Sequence, residues 1–261
     1  MLTERELLEL ARLRRLKPWQ EEKRYVQCLV LYALSEVDAL LKGGTYLWLF
    51  HALNRYSEDL DFTLGVEVGE DLQERVVKTI ELFGVVSYAK AVKDDPYTYS
   101  FTLHARGPLY SYNRSVCHVR VDMSRREKPL LQHILVTLNE AKYGIPPVGL
   151  QGMSLEEVMA EKIRAIIRRN AARDVYDTWF LIEKLGVRVN TELVNAKLSF
   201  YNSTFSPTQL IDKVETHREQ WEAELRPLIF GELPSFDRAV STLRRSIDSA
   251  AGEGPSHRMM P

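Results

Sequence analysis

The chain has 261 residues, 45% of them hydrophobic, which is enough for one large domain or two modest ones with a substantial core. Its 35 basic and 36 acidic side chains give a net charge of -1, so the overall balance makes no case for nucleic acid and local charge has to carry any such argument. Cys28 and Cys117 lie far apart and form no CxxC pair, so neither a disulfide framework nor a zinc site is suggested; no apolar run reaches membrane-spanning length and the first segment is charged, so a soluble, reducing, cytoplasmic protein is expected.

Residues 3–15 (TERELLELARLRR) predict an amphipathic helix capped by Thr3, with Glu6 in the capping-box position. A second helix starts after Pro18 and runs to about Glu36. ALLKGG reads as a short strand entering a turn, followed by a helix over 46–53. DLDFTL (59–64) is the next strand, and Leu72, Val76 and Ile80 give 69–83 a helical period. After Gly84 the texture changes to VVSYAKAV, TYSFTLHA and VCHVRVDM, three strand-like runs separated by turns at DDP and RGPLYSYN, with LQHILVT as a further candidate strand.

KYGIPPVGLQG (142–152) is expected to be a linker, and everything beyond it reads as helical. Ser154 caps SLEEVMAEKIRAIIRR with Glu157 completing a capping box; another helix follows to Ile182 and about three more to Asp248. The predicted fold class is α+β, a mixed sheet flanked by helices and followed by a helical bundle-like domain. The predicted organisation is N-terminal helices packing on the core (1–36), an α/β core (37–150), a helical domain (151–250) and a disordered tail (251–261).

The segment LLKGGTYLWLFHALNRYSEDLDF (40–62) concentrates the chemistry. Asp59 and Asp61 alternate with Leu60 and Phe62, so both carboxylates leave one face of a strand, close enough to share divalent metal. Gly43 and Gly44 permit a tight turn whose amide groups open a helix, a favourable place for phosphate. A Gly-Gly turn alone is more often a plain strand-to-helix connection, and two acids on one strand face can be a solvated edge. Together, at this spacing, they point to phosphoryl or nucleotidyl transfer.

GGT…NRYSEDLDF resembles the nucleotidyltransferase superfamily signature, and more narrowly the AbiEii-type nucleotidyltransferases, toxins of type IV toxin–antitoxin systems. HVRVDMS (118–124) supplies a third acid, Asp122, and AEKIRAIIRRNAARDVYDTW (160–179) matches the family's helical signature, so the resemblance covers roughly residues 37–185. It implies a nucleotidyltransferase-type sheet and transfer of NMP from an NTP to an acceptor hydroxyl, with a tRNA 3′ end as the acceptor and a cognate antitoxin as partner. Asp59, Asp61 and Asp122 are implied as ligands of Mg²⁺, with Mn²⁺ as the alternative ion. Gly43, Gly44, Thr45, Arg55 and Ser57 are implied at the phosphates, Thr45 through its amide and hydroxyl. Lys162 matches the triphosphate-binding lysine, with Arg169 and Asp174 beside it, and Asp177 completes an Arg-Asp-x-x-Asp pattern in a supporting or catalytic role.

Plainer readings stand beside these. Asp122 can be a strand acid paired with Arg120 or Arg125, the basic face of 162–173 can be simply solvated, and Asp177 can serve a structural ion pair. Trp48, Phe50 and His51 read as packing, and His104 and His118 lack ligand partners at suitable spacing. Tyr97, Tyr99, Tyr110 and Tyr112 are candidate base-stacking residues, and Arg125, Arg126, Lys128, Arg244 and Arg245 candidate RNA contacts. The competing functional classes are a non-catalytic NTP-binding module, or a nucleotidyltransferase that modifies a small molecule or a protein.

Overall fold

The structure, a computed structural model, describes residues 2–65, 67–111 and 115–252. It divides into two compact units, 1–153 and 154–261. The first opens with α1 (Glu4–Arg14), where Thr3 and Glu6 form the predicted capping box. There follow α2 (Pro18–Ala33), β1 (Ala39–Lys42), α3 (Gly43–Phe50), β2 (Leu60–Leu64), α4 (Leu72–Glu81), β3 (Val86–Asp95), β4 (Thr98–Arg106), β5 (Cys117–Ser124), β6 (Ile134–Leu138), a 3₁₀ turn (Ala141–Tyr143) and β7 (Val148–Gly152).

The seven strands form one mixed sheet in the order β3-β4-β5-β2-β1-β7-β6. β2 runs parallel to β5 and β1 parallel to β7, and the other pairs are antiparallel. Alternation on β5 sends Val119, Val121 and Met123 into the core and His118, Arg120 and Asp122 to the opposite face. α2 packs on β5 and α4 on β3; α4 buries Leu72, Val76 and Ile80, the stripe its sequence predicts. The N-terminal helices are clamped by a partly buried ion network: Arg14 and Arg24 both reach Glu140 (2.8 and 2.7 Å), and Tyr143 donates to the fully buried Glu21 (2.6 Å). Cys28 and Cys117 are buried free thiols.

The expected linker is corrected by β7, which lies inside the sheet between β1 and β6. Its two glycines suggested a flexible segment, but Gly152 is small for a packing reason. A Cβ there would lie 2.5 Å from the Tyr46 hydroxyl, whose ring covers it and which donates to Met153 O (3.1 Å).

The second unit is helical: α5 (Leu155–Arg168), α6 (Ala172–Glu183), α7 (Thr191–Ser199), α8 (Pro207–Glu215), α9 (Trp221–Leu225) and α10 (Phe236–Gly252). Four helices therefore follow α6 among the described residues, against about three expected. Ser154 caps α5 as predicted (Glu157 N to Ser154 Oγ, 3.2 Å), while the Glu157 carboxylate meets the buried Lys197 (2.6 Å). The tail expected at 251–261 lies outside the described residues except for its first two positions, which end α10.

Candidate active site

β2 and β5 place the acids. Their parallel register pairs Asp61 with Asp122, and the antiparallel register of β1 with β2 sets Lys42 opposite Asp61. Asp59 precedes β2, next in line toward Arg120 after the Leu60–Val121 pair. Asp122 accepts two hydrogen bonds from Arg120, from Nε at 2.8 Å and from Nη2 at 3.0 Å. The plainer reading of Asp122 is thus realised by Arg120, while Arg125 turns to Asp94 (2.6 Å).

All three acids nonetheless face this one cation. The Arg120 guanidinium is held above its ordinary value first by its hydrogen bonds to Asp122 and then, against desolvation, by the charges of Asp122, Asp59 and Asp61. Among the described residues no three His, Cys, Asp or Glu side chains are grouped to hold a metal as they stand. The donor chemistry fits a hard divalent cation, three carboxylates on one face, with Arg120 now supplying the compensating charge.

The Gly-Gly turn faces these acids. Gly43 has φ +77°, and a Cβ on it would strike the Asp61 carboxylate, so only glycine brings the chain this close. α3 begins there, and its N-cap Lys42 makes no side-chain capping bond. Gly44 lies against the Arg55 guanidinium and the Ser57 hydroxyl; a Cβ would meet the latter at 2.7 Å. Arg55 is buried at 2% exposure, with Nη1 donating to Tyr56 O (2.8 Å). The loop carrying Ser57 is held by Gln27, whose Nε2 donates to Ser57 O (3.2 Å) and Glu58 O (2.9 Å), a brace the sequence did not announce.

Thr45 requires a correction. Its hydroxyl, expected at the phosphates, is wholly buried and donates to Asp59 O at 2.6 Å. A buried hydroxyl needs an internal partner, and this one ties the start of α3 to the first acid.

The second unit carries the remaining candidate residues. Lys162, read as standing on a potentially solvated basic face, is 7% exposed and bonded to Asp174 (3.1 Å) and Asp177 (2.6 Å), both fully buried. Arg169 makes a two-pronged contact with Asp174 (2.6 and 2.8 Å). Burial alone would raise the Asp174 carboxyl, but Lys162 and Arg169 outweigh it and hold it well below the usual carboxylate range. Asn170 is exposed because α5 ends at Arg168.

Other candidates sort mostly into packing. Trp48 meets Tyr56 edge-on (5.3 Å) beneath Arg24, and Tyr99 is buried, receiving a bond from Gln73. Tyr112 lies outside the described residues. Arg244 pairs with Glu215 and Arg125 with Asp94, so these basic residues are engaged within the protein.

The AbiEii family, described as "Nucleotidyl transferase AbiEii toxin, Type IV TA system", matches residues 29–242. MenT4, a nucleotidyltransferase toxin of Mycobacterium tuberculosis, is similar in structure with a TM-score of 0.64 at 21% identity, over 96% of this chain and 90% of that one. JHP933 from Helicobacter pylori is similar with a TM-score of 0.61 at 17% identity, over 91% and 93%. No curated protein matches the chain. At these identities the solved structures speak for the fold, a mixed sheet flanked by helices, and the family match over most of the length speaks for the activity. The chain belongs to the AbiEii nucleotidyltransferase toxins of type IV toxin–antitoxin systems, enzymes that use an NTP and, in general, a divalent metal.

Proposed function

We propose that the chain transfers NMP from an NTP to the 3′ hydroxyl of an RNA, with tRNA as the acceptor class and Mg²⁺ held by Asp59, Asp61 and Asp122. On this reading it acts in the cytoplasm and is neutralised by a cognate antitoxin. The observation that carries it is the Asp61–Asp122 register pair facing the Gly43 turn, which sets carboxylates beside a helix start suited to phosphate.

When bound, the divalent ion neutralises the triphosphate and stabilises the attacking and leaving oxygens. The chain's own groups do the remaining work. The α3 amides and Ser57 hold the phosphates, and the buried Arg55 keeps the Gly44 backbone in place. Asp122, beside Asp61, orients the acceptor hydroxyl and favours loss of its proton. The hydroxyl oxygen then bonds to the α-phosphorus, the bond to the bridging oxygen breaks, and pyrophosphate leaves. Lys162, fixed by Asp174 and Asp177, serves the triphosphate as a point charge, with Arg169 holding Asp174 in turn.

The test offers each α-labelled NTP with Mg²⁺ to pooled tRNA, total protein and small-molecule acceptors. Label in tRNA, lost in D59N and D61N, is the expected outcome. Label in protein or small molecules alone, or NTP binding without transfer, would replace this reading with one of its rivals.

A further inference from the structure

The face of the sheet that carries the acids continues beyond them as an open surface. Across β5, β4 and β3 the register sets residues in rows on one side. The first row runs Asp122–Ser100 from Asp61, the second Arg120–Thr102–Lys90, and the third His118–His104–Tyr88. The opposite side of these strands holds the buried Val119, Val121, Phe101 and Leu103, against which α2 and α4 pack. On this side Ser100 is buried and Thr102, His104, Arg120 and Asp122 are half-buried, while Tyr88 is 58% exposed and Lys90 and His118 are exposed.

The third row is a stack of aromatic rings. The Tyr88 ring lies parallel to His104, 4.5 Å apart at 5°, and His118 meets His104 edge-on at 4.6 Å. An exposed tyrosine stacked this way presents a preformed face at small entropic cost, which suits a nucleobase. The charge matches a nucleic acid backbone. Lys90 flanks the stack on the side of the acids and Arg106 follows it on β4, while the Arg120 charge is taken up by Asp122. His104 is kept toward its neutral form by burial first and then by the neighbouring His118 and Lys90. The acids at the β3–β4 turn are paired within the protein, Asp95 with Lys93 and Asp94 with Arg125, so they do not oppose this field.

We infer that the open face of β3–β4–β5 is the docking surface for the single-stranded 3′ end of the acceptor RNA. One base stacks on Tyr88–His104, Lys90 and Arg106 contact the backbone, and the terminal hydroxyl arrives at Asp122. From His118 to Asp122 along β5 is about 13 Å at the rise of an extended strand, a distance that a few nucleotides cover. This rests on the RNA-acceptor reading above and adds to it the place where the strand lies.

The test uses the full chain with pooled tRNA and compares Y88A, Y88F and K90E with K78E, a charge reversal on exposed α4. Y88A should raise KM for tRNA about tenfold, with Y88F close to wild type. K90E should weaken tRNA binding and lower the salt-dependence slope by about one. KM for NTP should stay unchanged in all four, and K78E should match wild type for tRNA. Label entering tRNA with KM within twofold of wild type in both Y88A and K90E overturns this surface and leaves the RNA acceptor standing. A rise in KM for NTP equal to that for tRNA also overturns the surface, because the damage would then be general. Label entering protein alone, or no label in tRNA, overturns the acceptor reading and the surface with it.

Discussion

Arg120 grips Asp122 with two hydrogen bonds, at 2.8 and 3.0 Å, on the strand face where Asp61 is the register partner of Asp122. The guanidinium thus supplies positive charge beside the acids that would hold a divalent cation. Removing it should leave three acids with less internal compensation and strengthen metal binding. R120Q is expected to bind Mn²⁺ several-fold more tightly than wild type by calorimetry, and to gain more thermal stability on Mg²⁺ addition. Equal or weaker binding would mean that Arg120 and the metal do not compete.

The Thr45 hydroxyl links the start of α3 to the backbone of Asp59. T45V keeps the shape and leaves the Asp59 carbonyl without that partner, at a cost of about 1–3 kcal/mol. T45S should keep the bond. A melting temperature lowered by several degrees in T45V, with T45S near wild type and activity following the same order, is the expected pattern. Full stability in T45V would show that the bond is dispensable.

Asp174 carries a pH signature. Its carboxyl is held below the ordinary range by Lys162 and Arg169 in spite of burial. A carboxyl depressed in the folded state stabilises the fold fully above the unfolded value near 4, and that stabilisation is lost as pH falls toward the folded value. D174N, which takes a buried carboxylate away from Lys162 and Arg169, should cost about 3 kcal/mol at pH 7. The difference from wild type should shrink steadily below about pH 4. Urea midpoints at pH 7 and pH 3 measure this, and a constant gap would argue against the ion pair as its source.

Much of this was legible in the sequence because period and turn chemistry are local. Alternation in DLDF and HVRVDM placed Asp61 and Asp122 on strand faces, and the Gly-Gly turn announced a close approach. Pairing is not local, and it governed the departures. Gly149 and Gly152 looked like a linker because nothing nearby in sequence shows Tyr46 lying over Gly152 in an interior strand. The burial of Lys162 was not legible because the two acids that enclose it come from α6. Thr45 looked like a phosphate ligand because the Asp59 carbonyl that captures its hydroxyl is brought back only by β2 folding against β1. The Tyr88–His104–His118 row spans three strands and had no signature beyond ordinary alternation.

The central claim is transfer of the nucleotidyl group itself. It is tested most directly by incubating the chain with tRNA, Mg²⁺ and one NTP labelled in parallel at the α- or the γ-phosphate, with periodate-oxidised tRNA as control. The α-label should enter intact tRNA and the γ-label should appear only in pyrophosphate, in equal amounts. Oxidised tRNA should accept nothing, and D61N should lower transfer at least about a hundredfold. Entry of the γ-label into tRNA, transfer to oxidised ends, or an undiminished rate in D61N would contradict the account.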